Sequence, residues 1–185
     1  MVMIYLNALT PGKNPPDEIN VVIEISKGSA IKYEIDRYTG ALFVDRILST
    51  SMVYPCNYGF IPKTEEDEDL IDVFVLGNDP VVPMSIVRSI PIGMLLTEDQ
   101  DGQDSKIIAI PIPRIDPDFS RIIDLSDIGE YTLNQLKHFI EHHKELEKGK
   151  YVNIKGFKDK EAAKKTISDA IKKYNKRENS KKRFQ

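Results

Sequence analysis

Between Asn20 and Ile112 the apolar residues come in short runs broken by turn residues, and from Tyr131 onward they recur at helical spacing. Asn20–Ile25 (NVVIEI) reads as a strand with Glu24 inside it, where a carboxylate is costly unless it reaches water, a base or a metal. Ile31 to Ile35 alternates strictly, so Ile31, Tyr33 and Ile35 share one face and Lys32 and Glu34 the other. Asp36–Gly40 is a turn signal, and Ala41–Asp45, followed by Arg46, returns as a hairpin partner. A turn is expected over Tyr54–Gly59, then a strand around Val73–Leu76, one or two strands over Ile86–Leu96, and a strand over Ile107–Ile112. Pro111–Ser126 reads as loop.

The pattern then changes period. Tyr131–Glu147 predicts a helix with Leu133, Leu136, Phe139, Ile140, His143 and Leu146 on one stripe, and His138 and His142 on the polar face. Tyr151–Ile154 is a late strand. Asp159 is a candidate N-cap for a last helix that carries Ala163, Ile167, Ala170, Ile171 and Tyr174 on one side. The basic end is expected to be a frayed, solvated tail. Residues 1–175 therefore read as one domain and 176–185 as a basic tail. Short strands followed by helices give an α+β domain, and the hairpin-rich N-terminal part suggests a small barrel.

Candidate chemistry lies in two acidic loops that each feed a strand. Glu65 to Asp69 are five consecutive acids, with Asp72 just beyond; Glu98–Lys106 (EDQDGQDSK) turns about Gly102. Two unit charges about 4 Å apart repel by roughly 4 kcal/mol at an effective dielectric near 20. Splaying into water, a raised pKa or a bound cation relieves this, and clustered carboxylates favour hard cations such as Mg²⁺, Mn²⁺ or Ca²⁺. Taken alone, such a run reads as a solvated loop. Neither loop has the glycine and glutamate positions of an EF-hand, and the chain lacks a GxxxxGK[ST] loop, a GxGxxG fingerprint and a GxSxG elbow. His138 to His142 spells H-x-x-E-H, a zinc-peptidase pattern, but no third ligand is evident.

Composition adds boundaries. With 185 residues, 41% hydrophobic and 30% charged, the chain is long enough for a proper core. A net charge of -3 argues against general nucleic-acid binding. The single cysteine, Cys56, excludes an internal disulfide and suits a reducing compartment. With no membrane-spanning run and no signal-peptide pattern, a cytoplasmic protein is expected.

The ordered set VVIEI at 21–25, IKYEID at 31–36, GALFVDR at 40–46, YPCNYGFIP at 54–62, Asp67/Asp69/Asp72, GQDSKIIAIP at 102–111 and EHHKELEKGK at 141–150 resembles the soluble family I inorganic pyrophosphatases of bacterial type, over nearly all of residues 17–175. The resemblance implies a five-stranded OB-like β-barrel with flanking C-terminal helices, and Mg²⁺-dependent hydrolysis of pyrophosphate, with Mn²⁺ or Zn²⁺ as substitutes. It also implies a homo-oligomer, typically a hexamer. Asp67, Asp72, Asp99 and Asp104 would hold metal, and Asp69 would be the base. Lys32, Arg46, Tyr58, Lys106 and Lys144 would hold phosphates, with Glu24, Glu34 and Tyr54 lining the site.

Some positions depart from the family pattern. Where D-G-D-P-x-D is usual, this chain has Asp67-Glu68-Asp69-Leu70-Ile71-Asp72, losing a permissive glycine and a stiffening proline. A regular strand would part Asp69 from Asp72, so a turn or bulge is required. Gln100 replaces an acid, Tyr151 and Phe157 replace tryptophans, and His143 replaces a phosphate-contacting tyrosine, where imidazole brings a donor and, if protonated, charge. These departures leave a non-catalytic metal- and phosphate-binding member of the fold as the alternative.

Overall fold

The computed structural model describes residues 8–36, 39–66, 69–100 and 102–182. In chain order the strands are β1 (Ile19–Ile25), β2 (Ile31–Ile35), β3 (Leu42–Ile47), β4 (Asn57–Glu66), β5 (Asp69–Val75), β6 (Ile86–Asp99), β7 (Gly102–Gln103), β8 (Lys106–Pro111) and β9 (Val152–Asp159); the helices are α1 (Glu130–His142) and α2 (Lys160–Lys182). The ladder runs β1-β4-β5-β8-β6, and β6 pairs back onto β1, so five strands close a barrel. β5 and β8 are parallel, while the other barrel pairs are antiparallel.

Closure depends on β6. Its fourteen residues form one bent strand, whose first part pairs with β1 and whose second part pairs with β7 and β9. The register against β8 shifts between Pro91 and Gly93, where a residue without an amide and one without a side chain permit the bend. A second close approach joins β1 to β4. A Cβ on Gly59 would lie 1.9 Å from the Val22 carbonyl oxygen, so this glycine belongs to a strand crossing rather than to the expected turn.

Apolar residues cover both faces of the sheet, which explains the continuous runs in β5 and β8. Val73, Val75, Ile107 and Ala109 pack toward Ala163, Ile167 and Ala170 of α2. Phe74, Leu76, Ile108 and Ile110 pack in the cluster that holds Leu136, Phe139 and Ile140 of α1. Asp159 caps α2, its Oδ1 accepting from the Ala162 amide at 2.9 Å.

Two further expectations change. α1 stops at His142, with His143 as its C-cap, so Leu146 leaves the apolar stripe and is exposed. The basic end is helical through Lys182 rather than frayed, supported by Lys172–Asp169 and Lys181–Glu178 pairs and by Arg177 against Glu65. No described helix is long and apolar enough to cross a membrane.

Candidate active site

A cavity of about 500 Å³ opens between the barrel, the β2–β3 hairpin and the C-terminal end of α1. Among the described residues, Glu24, Glu34, Glu66, Asp69, Asp72, Asp99 and Asp104 line it, against Lys32, Lys106 and Lys144. This excess of carboxylates over ammonium groups creates a negative field that favours cations.

Lys106 is the centre of the wall. As the first residue of β8 it pairs in register with Asp72 of β5, and its Nζ donates to Asp72 Oδ2 at 2.6 Å and to Asp104 Oδ1. Burial alone would lower its pKa, but Asp72 and Asp104 outweigh burial and raise it, so it stays charged. Tyr58 donates its hydroxyl to the same Asp72 oxygen at 2.5 Å. Burial, then Asp72, push the Tyr58 pKa well up, which keeps the phenol a donor. Thr97 steadies Asp104: the Asp104 amide donates to the Thr97 carbonyl at 3.0 Å, and the Thr97 hydroxyl donates back to the Asp104 carbonyl. Asp99 accepts from Lys144 at 3.4 Å and from Gln100 at 3.3 Å.

The opposite wall is set by the hairpin. Lys32 donates to Glu34 at 2.5 Å and lies 3.1 Å from Asp45. Glu24 Oε1 accepts the Ile35 amide at 2.9 Å, tying β1 to β2. Burial pushes the Glu24 carboxyl up to about 8, the Ile35 amide pulls against it, and Asp72 and Glu34 add to the rise. The Tyr54 ring is buried between Tyr58 and Phe139, at centroid distances of 5.6 and 4.7 Å.

Among the described residues the potential metal donors lining the cavity are hard oxygens and one imidazole, and the Lys106 ammonium already answers the Asp72–Asp104 pair with positive charge, so the chemistry suits a hard divalent cation. Among the described residues no three His, Cys, Asp or Glu side chains are grouped tightly enough to enclose an ion.

The family model described as "Inorganic pyrophosphatase" matches residues 21–175. The chain belongs to the inorganic pyrophosphatase family. It is 52% identical over 165 residues to the inorganic pyrophosphatase of Sulfolobus acidocaldarius, covering 89% of this chain and 95% of that one. It is 48% identical over 169 residues to that of Aquifex pyrophilus, covering 91% and 96%. The solved inorganic pyrophosphatase of Helicobacter pylori superposes with a TM-score of 0.88 at 45% identity, covering 91% of this chain and 99% of that one. The five-stranded barrel with flanking helices is therefore the fold of this pyrophosphatase family, and membership implies a divalent metal cofactor.

Within this pyrophosphatase-family cavity lie Glu24, Lys32, Glu34, Tyr54, Tyr58, Asp69, Asp72, Asp99, Asp104, Lys106, His143 and Lys144, from five barrel strands, a hairpin and a helix end. Arg46 does not line it. Although cross-strand from Lys32, Arg46 is drawn to Asp45 at 2.9 Å and to Glu147 at 2.6 Å. Asp67 and Glu68 lie outside the described residues. Asp69 and Asp72 do reach one cavity, and the register between β4 and β5 shifts between Ile61 and Glu66, next to Asp69. Sequence reasoning missed Glu66, Thr97 and Gln103; Glu66 was visible as an acid, but only its pairing with Asp69 marks it as facing the site. His143 behaves differently from expectation. Its Nδ1 lies 3.1 Å from both the Phe139 and Ile140 carbonyl oxygens, so the proton sits there and is donated to the helix. Burial, with Lys144 beside it, lowers its pKa to about 4, so the ring is neutral at pH 7 and adds no charge. His138 is exposed, and His142 pairs with Glu145 at 2.8 Å on the outer side of α1.

Proposed function

We propose that this chain hydrolyses inorganic pyrophosphate to two phosphates with Mg²⁺, for which Mn²⁺ or Zn²⁺ can substitute. The observation that carries the reading is the convergence of Asp69, Asp72, Asp99 and Asp104 with Lys32, Lys106 and Lys144 on one cavity of a pyrophosphatase-family barrel. Asp72, Asp99 and Asp104, with Asp67, are the residues to hold metal. When bound, the divalent cation supplies charge against the pyrophosphate oxygens and makes water more acidic, so a carboxylate suffices as base.

Asp69 is that base. Its Oδ1 accepts the Leu70 amide at 2.7 Å, which restricts the carboxylate at the first residue of β5. The oxygen of the attacking water bonds to one phosphorus, the bond from that phosphorus to the bridging oxygen breaks, and the water proton passes to Asp69. Lys32, Lys106 and Lys144 neutralise phosphate oxygens, which is most of what phosphoryl transfer asks of a protein. Tyr58 donates a hydrogen bond, and Arg46 joins by leaving Asp45 and Glu147 when phosphate arrives. His143, its Nδ1–H committed to the helix, presents an unprotonated Nε2, an acceptor that suits a water or a protonated phosphate oxygen rather than a bare phosphate oxygen. Glu24, Glu34 and Tyr54 shape the wall.

Phosphate release from pyrophosphate, measured with Mg²⁺, with chelator and with Asp69→Asn, tests the reading. Release that requires Mg²⁺ and falls by about 10²-fold or more in Asp69→Asn, while the variant still binds Mn²⁺, is expected. No release from folded, Mg²⁺-loaded protein would favour the non-catalytic binding alternative. A cytoplasmic homohexamer completes the proposal, supported by the buried lone Cys56 and by exposed apolar residues such as Val82, Ile86 and Ile115, and checked by light scattering.

A further inference from the structure

The hairpin that carries Asp69 is weakly joined to the barrel by its backbone. Regular β4–β5 pairing is interrupted after Ile61↔Ile71 and resumes at Glu66↔Asp69. Within the gap Pro62 has no amide to give, and Lys63 takes a left-handed φ of 56°. A side chain spans the gap: the Thr64 hydroxyl donates to the Ile61 carbonyl at 2.7 Å and accepts the Ile71 amide at 3.0 Å. The next residue, Glu65, is only 8% exposed, and its Oε2 lies 2.8 Å from Arg177 Nε on α2. Neither of these two buried atoms has an aligned hydrogen bond among the described residues, so they meet as a close ion pair, with the Glu178 carboxylate farther off at 4.0 Å from the same Nε. The Arg177 guanidinium also lies 5.6 Å from the Tyr174 ring centroid. Arg177 falls beyond residue 175, where the family match ends.

Successive strand side chains point to opposite faces. Glu65 is held by α2, and Glu66 lines the cavity opposite Asp69. A slip by one residue would exchange the two, turning Glu65 into the cavity and moving Asp69 with its partner. We infer that Arg177 is a positioning residue that, by holding Glu65 on the α2 side, fixes the register of the acidic hairpin and so the placement of Glu66 and Asp69 in the cavity. This inference rests on the pyrophosphatase reading of that cavity. The second, basic half of α2 is thus a brace for the site rather than a tail.

The test compares wild type, Arg177→Met, Arg177→Lys, Glu65→Gln and the Glu65→Gln/Arg177→Met double variant. Mn²⁺ affinity is read by calorimetry without substrate, beside KM, kcat and thermal unfolding. Arg177→Met is expected to weaken Mn²⁺ binding about tenfold, the usual scale for losing a support behind a metal site, with a folded far-UV spectrum. Arg177→Lys should recover most of that affinity, and the double variant should lose no more than either single one, as for two residues acting as a pair. Wild-type Mn²⁺ affinity in Arg177→Met, or a double variant showing the sum of the single losses, overturns the inference. Should Arg177→Met fail to fold, Glu65→Gln decides by the same affinity criterion. Wild type that binds Mn²⁺ but releases no phosphate refutes the pyrophosphatase reading, and the Mn²⁺ affinities still decide the role of Arg177.

Discussion

Lys106→Met separates two roles of one side chain. The ammonium is nearly enclosed, at 8% side-chain exposure, while its partners Asp72 and Asp104 keep 29% and 38%. A hydrogen bond to a charged group contributes about 1.5–3 kcal/mol to stability, and two such bonds to half-solvated carboxylates reduce to about 2 kcal/mol in all. Methionine fills a similar volume, so cavity formation adds little. In chelator, the variant should unfold about 4–8 °C below wild type, at about 2–4 °C per kcal/mol for a chain of this size. Saturating Mg²⁺ should close at least half of that gap, because the cation takes over the two carboxylates that the ammonium served. Mg²⁺ affinity should rise in the variant, since a like charge has left the site, whereas kcat should fall by about 10²-fold through loss of a donor to phosphate. Differential scanning calorimetry in both conditions, with calorimetric Mg²⁺ titration, reads these together. An equal loss of Tm with and without Mg²⁺, or weaker Mg²⁺ binding, would refute the argument that Lys106 and the metal answer the same carboxylates.

Two further outcomes follow from the walls of the site. The Glu24 carboxyl, raised from 4.5 to about 8, binds its proton more tightly folded than unfolded. Its stabilisation is therefore complete below about pH 4.5 and is lost progressively as pH rises toward about 8, by up to a few kcal/mol. Glu24→Gln should accordingly raise Tm relative to wild type near pH 9 and not near pH 4.5, in chelator; the same difference at both ends would sink the assignment. Gly59→Ala drives a methyl to within 1.9 Å of the Val22 carbonyl oxygen and should cost about 3 kcal/mol by urea unfolding, and a near-neutral result would mean that β1 and β4 separate easily.

Much of the barrel was legible because its signals are local. The strict alternation of Ile31 to Ile35 placed Lys32 and Glu34 on one face, and they meet at 2.5 Å. The helical stripe of Leu136, Phe139 and Ile140, and that of Ala163, Ile167 and Ala170, are buried as the period required. The ordered motifs named the family and, through it, the carboxylates and lysines of the cavity. Errors fell where local signals were ambiguous: Asn57 and Gly59 look like a turn but open β4, and the α1 stripe suggested Leu146 although the helix had already ended.

Tertiary structure decided what depends on residues distant in sequence. Barrel closure by β6 onto β1 is a long-range pairing that no window along the chain encodes. Arg46 carries the charge expected of a phosphate ligand, yet Glu147, about a hundred positions away, competes for it. The imidazole of His143 was a donor of unknown direction until the Phe139 and Ile140 carbonyls fixed its proton, and burial beside Lys144 removed its charge. The basic end read as a solvated tail because charge alone is visible in sequence; its use emerges only when Arg177 meets Glu65 across the fold. Sequence determines which groups are available and how each segment repeats, whereas the energies of buried charges depend on which of those groups the fold brings within a few ångströms of one another.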